Sequence, residues 1–290
     1  MKKLLLGTFG LLALALPAAA ADLRIPVKAP VIVDPVYSWT GFYIGGNVGY
    51  SWGRVRDNVV GTTTTDVFRT ASGPGTPLSV ITTAAFALPG QRYNVDGVIG
   101  GGQFGYNWQT GAWLLGLETD FQGSGERGRG TVCSVAGCPA GSLFATETTR
   151  LEWFGTARAR AGYLVTPQLL IYGTGGAAYG NIRSTLAAGT IGGAGIIGGA
   201  IDKTRLGWTA GAGGEWAIDR NWSVKLEYLY MDLGRFGGTG GTTVTTVANV
   251  PQQGFSTQTT TTFGSNGRFT DHILRVGFNY RFGGPVVAKY

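Results

Sequence analysis

The chain of 290 residues carries 51 glycines and 12% aromatic side chains, but only 13% charged ones, about half the ~25% usual in soluble domains. Its net charge of +7 is spread thinly with no Lys/Arg run, which argues against a nucleic-acid-binding surface. Beyond the N-terminal segment no stretch approaches the ~20 apolar residues of a transmembrane helix, so any membrane crossing must use strands.

Lys2 and Lys3 precede an apolar run from Leu4 to Leu16 and a small-residue end from Pro17 to Ala21. That order is a secretory signal peptide, too short for a spanning helix, with cleavage expected after Ala21. Residues 22–40, with Pro26, Pro30 and Pro35 among valines, read as an extended periplasmic linker. Residues 41–290 then form one domain.

Eight segments of that domain alternate with period 2, the signature of strands. Phe42 to Trp52 sets Phe42, Ile44, Val48, Tyr50 and Trp52 against Tyr43, Asn47 and Ser51. Val98 to Trp108 opposes Phe104, Tyr106 and Trp108 to Gln103 and Asn107, and Trp113 to Gln122 opposes Trp113, Leu115, Leu117 and Phe121 to Glu118, Asp120 and Gln122. Leu151 to Leu164 places Trp153, Ala157, Ala159 and Tyr163 opposite Glu152, Thr156, Arg158 and Arg160. In Leu169 to Asn181 two sets, Leu169, Ile171, Ala177, Tyr179 and Leu170, Tyr172, Ala178, compete for the outer face, and a Gly-rich register specifies neither. Arg205 to Trp216 opposes Leu206, Trp208 and Trp216 to Arg205, Thr209 and Glu215; Trp222 to Tyr230 opposes Val224, Leu226 and Tyr228 to Ser223, Lys225 and Glu227. The last, Asp271 to Phe282, sets Leu274, Val276, Phe278, Tyr280 and Phe282 against Asp271, Ile273, Arg275, Asn279 and Arg281.

Connections at 109–112, 165–168 and 217–221 are short, whereas 53–97, 123–150, 182–204 and 234–268 are long and rich in Gly, Thr and Ser. The expected fold is therefore all-β: an eight-stranded antiparallel up-and-down transmembrane β-barrel with long extracellular loops and short periplasmic turns. A soluble barrel with its apolar face inside alternates too, but eight strands enclose too little space for this many aromatics. The aromatics also gather near strand ends, as interfacial girdles do. The Thr runs 62–65 and 257–262 read as hairpin extensions above the membrane.

The inward face carries Glu118, Asp120, Glu152, Glu215, Glu227 and Asp271 against Arg158, Arg160, Arg205, Lys225, Arg275 and Arg281, six acids to six bases. Buried charges must pair, so these twelve are expected to form a lumen network. Cys133 and Cys138 are the only cysteines. In an exported chain that spacing, beside Gly137 and Pro139, reads as a disulfide closing a small loop. No cofactor or metal is expected: Gly100 to Gly105 matches G-x-G-x-x-G by letters, but no helix follows, and His272 is the only histidine. Gly192 to Gly199 reads as a flexible loop.

The segments Trp39 to Gly46, Gly155 to Tyr163, Tyr172 to Gly176 and Arg275 to Tyr290 resemble the small outer-membrane β-barrel surface proteins of alphaproteobacteria, relatives of opacity-type barrels and of the OmpA barrel. The resemblance implies a Gram-negative outer-membrane location and a porin-like surface-antigen label. It also implies that Arg275, Gly277, Tyr280 and Phe282 signal to the barrel-assembly machinery, although Gly283 to Tyr290 follow where many barrels end. Balanced charges in a narrow lumen lead to the expectation of a plugged, structural barrel. Its partners are then outer-membrane lipid and lipopolysaccharide, the basic balance suiting an anionic lipid, although solubility accounts for it as well. The alternatives are a small diffusion porin and a barrel-embedded lipid-modifying enzyme. The latter needs a catalytic base, and His272 falls on the lipid-facing parity, where an interfacial role fits it better.

Overall fold

The computed structural model describes residues 37–69, 80–192, 196–238, 244–250 and 255–282. The expected signal peptide, residues 1–21, the expected linker as far as residue 36 and the tail 283–290 lie outside the described residues. Ten strands follow in order: β1 (Gly41–Arg69), β2 (Val80–Ala87), β3 (Gln91–Thr110), β4 (Trp113–Cys133), β5 (Leu143–Thr166), β6 (Leu169–Thr190), β7 (Ile196–Ala217), β8 (Trp222–Gly238), β9 (Val244–Val250) and β10 (Phe255–Phe282). Eight of them close an antiparallel ring in the order β1-β3-β4-β5-β6-β7-β8-β10, with β10 returning to β1. Closure leaves no unpaired edge at membrane depth, where an unpaired backbone group would find no water.

Period-2 alternation decides which side chains face the ring's interior. On β1, Phe42, Ile44, Val48, Tyr50 and Trp52 are all exposed on the outer wall, while Tyr43 and Ser51 are buried inside. The ambiguity in β6 resolves the same way. Leu170, Tyr172 and Ala178 are buried within the ring, and Ile171 faces out. Tyr43 and Tyr172 are bulky for so narrow a space, and glycines accommodate them: a methyl group at Gly105 would collide with the Tyr43 ring, and one at Gly213 would lie 2.7 Å from the Tyr172 hydroxyl.

The strands outrun the membrane. Ring strands measure 17 to 29 residues, against the ~9–11 that span a bilayer. Much of what the sequence offered as long loops is therefore strand. The Thr runs do extend a hairpin: Thr62 to Thr65 pair in register with Thr262 to Thr259 of β10. There β2 and β9 add to the outer ends of β1 and β10. The glycine-rich stretch 192–199 is in part strand as well, since β7 begins at Ile196, and Gly100 to Gly105 lies wholly within β3.

Two bulges reset the alternation. One lies in β5, whose register with β6 shifts between Leu151 and Trp153, and the other in β8, whose register with β10 shifts between Phe269 and Thr270. A bulge places one extra residue in one strand and reverses the faces beyond it. Above it Leu151 turns inward and Glu152 outward, the reverse of what unbroken alternation predicts.

At the outer end of the β4–β5 hairpin, Cys133 and Cys138 are joined in a disulfide that closes the loop beyond the Cys133–Phe144 strand pair. The bridge lies far from the ring's interior. Its reduction is expected to leave the folded mobility of the barrel on unheated gels unchanged while speeding proteinase K cleavage between residues 134 and 142. A reduced protein that ran as unfolded without heating would contradict this placement.

Candidate functional site

The interior of the ring is the site with chemistry, and it is built in layers. The periplasmic end is closed by Trp39, which is 1% exposed and packs with Leu114, Leu164, Leu170, Tyr172 and Ala217. Its indole N–H donates to the Pro167 carbonyl at 3.1 Å, and its backbone N–H donates to Gln109 Oε1 at 2.7 Å. The last residues of the linker stretch thus form a stopper tied to two periplasmic turns.

Above the stopper lies the charged layer. Arg158 of β5 reaches Glu118 and Asp120 of β4 at 2.5 and 3.0 Å and Glu227 of β8 at 3.1 Å. Arg275 of β10 spans Asp120 at 2.8 Å and Glu227 at 2.6 Å. Lys225 sits 2.9 Å from Glu118, and Arg160 sits 3.1 Å from Glu215 of β7. Four acids thus face four bases, all with side chains at most 3% exposed. The remaining strands contribute neutral partners. Tyr43 of β1 donates to Glu118 at 2.7 Å and Tyr172 of β6 to Glu227 at 3.0 Å, while Asn107 of β3 accepts from Arg160 Nε at 2.9 Å. Asn279 and Ser223 donate to Glu215 at 2.8 and 2.6 Å. Every strand of the ring is therefore tied to this one layer.

Four of the twelve expected network members stand apart. Glu152, turned outward by the bulge, meets Arg183 at 3.4 Å on the exposed wall. Arg205 is half-buried near the outer part of β7 and joins none of these ion pairs. Arg281 donates to the Arg220 carbonyl and lies over the Tyr37 ring at 4.1 Å, near the periplasmic rim. Asp271 is buried with Ser51 as its donor and Glu126 beside it, and forms no ion pair among the described residues. Of the residues expected to signal assembly, Arg275 is within the charged layer. Tyr280 and Phe282 pack edge-on at 5.1 Å on the outer wall, and Tyr280 also meets Trp222 at 5.1 Å.

Sequence reasoning missed what lies above the charges. A second apolar layer that includes Val55, Ile99, Phe154, Leu229, Phe236 and Phe269, each 0–2% exposed, fills the ring. Beyond it a polar layer holds Asp57, Gln91, Glu147, Thr149, Ser184 and Ser265. A third apolar cluster, Val59, Leu88, Ala145, Leu186 and Ala188, closes the top. The signal was present in the alternation of residues 55–59 and 145–149, but it continued past the length a membrane requires.

Glu147 lies in the extracellular extension of β5. Burial, then the neighbouring Asp57 carboxyl, pushes it from 4.5 up to about 8. Around it stand Asp57 of β1, Tyr93 and Gln91 of β3, Ser184 of β6 and Ser265 of β10. A carboxyl raised by folding favours the folded state at low pH, and that contribution is lost as pH rises through the folded value. The apparent unfolding midpoint in detergent is therefore expected to fall between pH 5 and pH 8, and Glu147→Gln to flatten that slope. An equal slope in the variant would contradict the assignment.

Removing one partner from a buried ion pair costs about 3–5 kcal/mol because the other charge stays buried. Arg158→Ala or Arg160→Ala is expected to destabilise the barrel on that scale in urea titrations in lipid vesicles. Arg129→Ala, exposed on the outer face of β4, should change stability by less than about 0.5 kcal/mol. Equal losses for all three would contradict the lumen placement.

A family model described as an outer membrane protein beta-barrel domain matches residues 8–282. The 31 kDa outer-membrane immunogenic protein of Brucella melitensis biotype 1 is 35% identical over 285 residues, covering 97% of this chain and all of the relative. The 22 kDa outer membrane protein of Rhizobium leguminosarum bv. viciae is 28% identical over 205 residues, covering 71% of this chain and 68% of that protein. Among solved structures, OprG from Pseudomonas aeruginosa aligns over 87% of this chain and 100% of its own, at 13% identity and a TM-score of 0.42. With its family match running almost end to end and its ring closed at membrane depth, the chain belongs to the outer membrane protein beta-barrel domain family and is a protein of the outer membrane.

Proposed function

We propose that this protein is a sealed structural barrel that anchors long surface hairpins in the outer membrane, and that it does not serve as a diffusion pore. The observation that carries this reading is the continuous filling of the ring. From Trp39 upward, an apolar stopper, an ion-paired layer, a second apolar layer, a polar layer and a third apolar cluster follow one another. An ion crossing the barrel would have to break buried salt bridges and pass side chains packed at native density. The hairpins above the membrane supply the surface-contact role, since exposed loops on a rigid scaffold are where recognition is placed. The Brucella relative is named as an immunogenic protein, which accords with hairpins displayed at the surface.

The environment of His272 speaks for anchoring over catalysis. The ring stacks near Trp52 and Tyr228, both at 6.1 Å between centroids, and its Nδ1 shares a hydrogen bond of 2.6 Å with the Tyr228 hydroxyl. These groups face outward at the upper aromatic band, where amphipathic rings hold a barrel at its interface.

Planar-bilayer recording on the refolded mature chain tests the sealed reading. The expected result is no steady conductance above the lipid baseline. Steady channels from the unaltered protein would establish the diffusion-porin alternative instead.

A further inference from the structure

The outer wall carries a second set of arginines, and their register is not that of scattered solubilising charge. On the outward face just beyond the upper aromatic band, Arg56 of β1 lies directly opposite Arg92 of β3 and also opposite Arg268 of β10. Arg268 in turn lies opposite Arg235 of β8. On the other side of the barrel, Arg127 of β4 faces Arg150 of β5, which faces Arg183 of β6. All seven side chains are exposed. Two rows of like charge thus cover seven of the eight ring strands at one height.

Like charges placed directly across a ladder destabilise the sheet, so such rows persist where something anionic lies over them. The protein's own acids meet the need only in part. Asp232 holds Arg268 at 2.5 Å, Glu152 holds Arg183 at 3.4 Å, and Asp96 stands opposite Arg127. Among the described residues, no ion pair with the protein's own acids is formed by Arg56, Arg92, Arg150 or Arg235.

Height identifies the occupant. On β1 the outward series runs Tyr50, Trp52, Arg54, Arg56, and on β10 it runs His272, Thr270, Arg268. Four residues separate Trp52 from Arg56 and His272 from Arg268, about 13 Å along a tilted strand, so the rows stand past the interfacial rings, at the level of lipid headgroups and on the side of the long hairpins. Planar guanidinium groups match phosphate oxygens in paired hydrogen bonds.

We propose that the two arginine rows are a binding belt for the phosphorylated headgroups of the outer leaflet's glycolipid, lipopolysaccharide, arranged around the barrel. The belt lies outside the ring, so it operates whether or not the lumen conducts.

The test measures binding of fluorescent lipid A to the refolded barrel in neutral detergent micelles. Binding is expected to weaken at least tenfold when lipid A is enzymatically dephosphorylated, and to fall steeply with salt. The quadruple variant R56Q/R92Q/R127Q/R150Q is expected to lose affinity by a similar factor, while Arg220→Gln, at a periplasmic turn, leaves it unchanged. Unheated-gel mobility verifies that each variant is folded, and the dephosphorylated-lipid arm decides the matter on the unaltered protein if the quadruple variant does not fold. Undiminished binding of dephosphorylated lipid A would overturn the proposal. So would full displacement of lipid A by millimolar inorganic phosphate, which would mean a free-anion site instead of a lipid belt.

Discussion

Everything in this barrel follows from the small bore of an eight-stranded ring. Eight strands close around a space that side chains alone can fill, so each inward residue becomes core, whatever its chemistry. Charged residues in that core cannot hydrate and must be paired. The pairing is dense: Arg158 and Arg275 each bridge strands far apart in sequence, and both share Asp120 and Glu227. The layer therefore acts as a hub across the ring. Tyr43 and Tyr172 bring β1 and β6 into it by donating to Glu118 and Glu227.

Legibility from sequence tracks how strongly the environment punishes an error. In the membrane a one-residue slip would put a charge into hydrocarbon, and there alternation held: Glu118, Asp120, Arg158, Arg160, Lys225, Glu227 and Arg275 all stand inside the ring, as their parity requires. Above the membrane both faces tolerate polar side chains, so the pattern fades and bulges become affordable. Glu152 illustrates the cost of reading through one. Its parity placed it inside, yet the irregularity beside it sends it to the surface and brings Leu151 in. Glu126 and Glu147 were overlooked for the related reason that their segments resembled loops. Long extensions of β1 and β10, Gly- and Thr-rich, carried too few apolar residues to look like strands, although their mutual pairing makes them so.

The acids above the hub differ in kind from those within it. Glu118 and Glu227 each meet guanidinium or ammonium groups, whereas Asp57, Glu147, Glu126 and Asp271 have hydroxyl and amide partners. The two layers thus hold the ring by different means: the lower by charge pairing, the upper by hydrogen bonds from hydroxyl and amide groups sandwiched between apolar clusters. Stability of the membrane-embedded part is then decoupled from that of the surface hairpins, which can vary in sequence without disturbing the hub.

Arginine on the two faces of this wall makes the same point from opposite sides. Inside, Arg158 and Arg275 are surrounded by carboxylates from other strands, and the charge is consumed in holding the ring together. Outside, Arg56 stands in register with Arg92, and Arg150 with Arg127 and Arg183, and Arg56, Arg92 and Arg150 form no ion pair with the protein's own acids among the described residues. Repulsive neighbours weaken a sheet by a modest amount per pair, and the hub beneath is what lets the wall tolerate them. A barrel clamped from within can carry on its surface a charge pattern that suits the membrane around it better than it suits the fold.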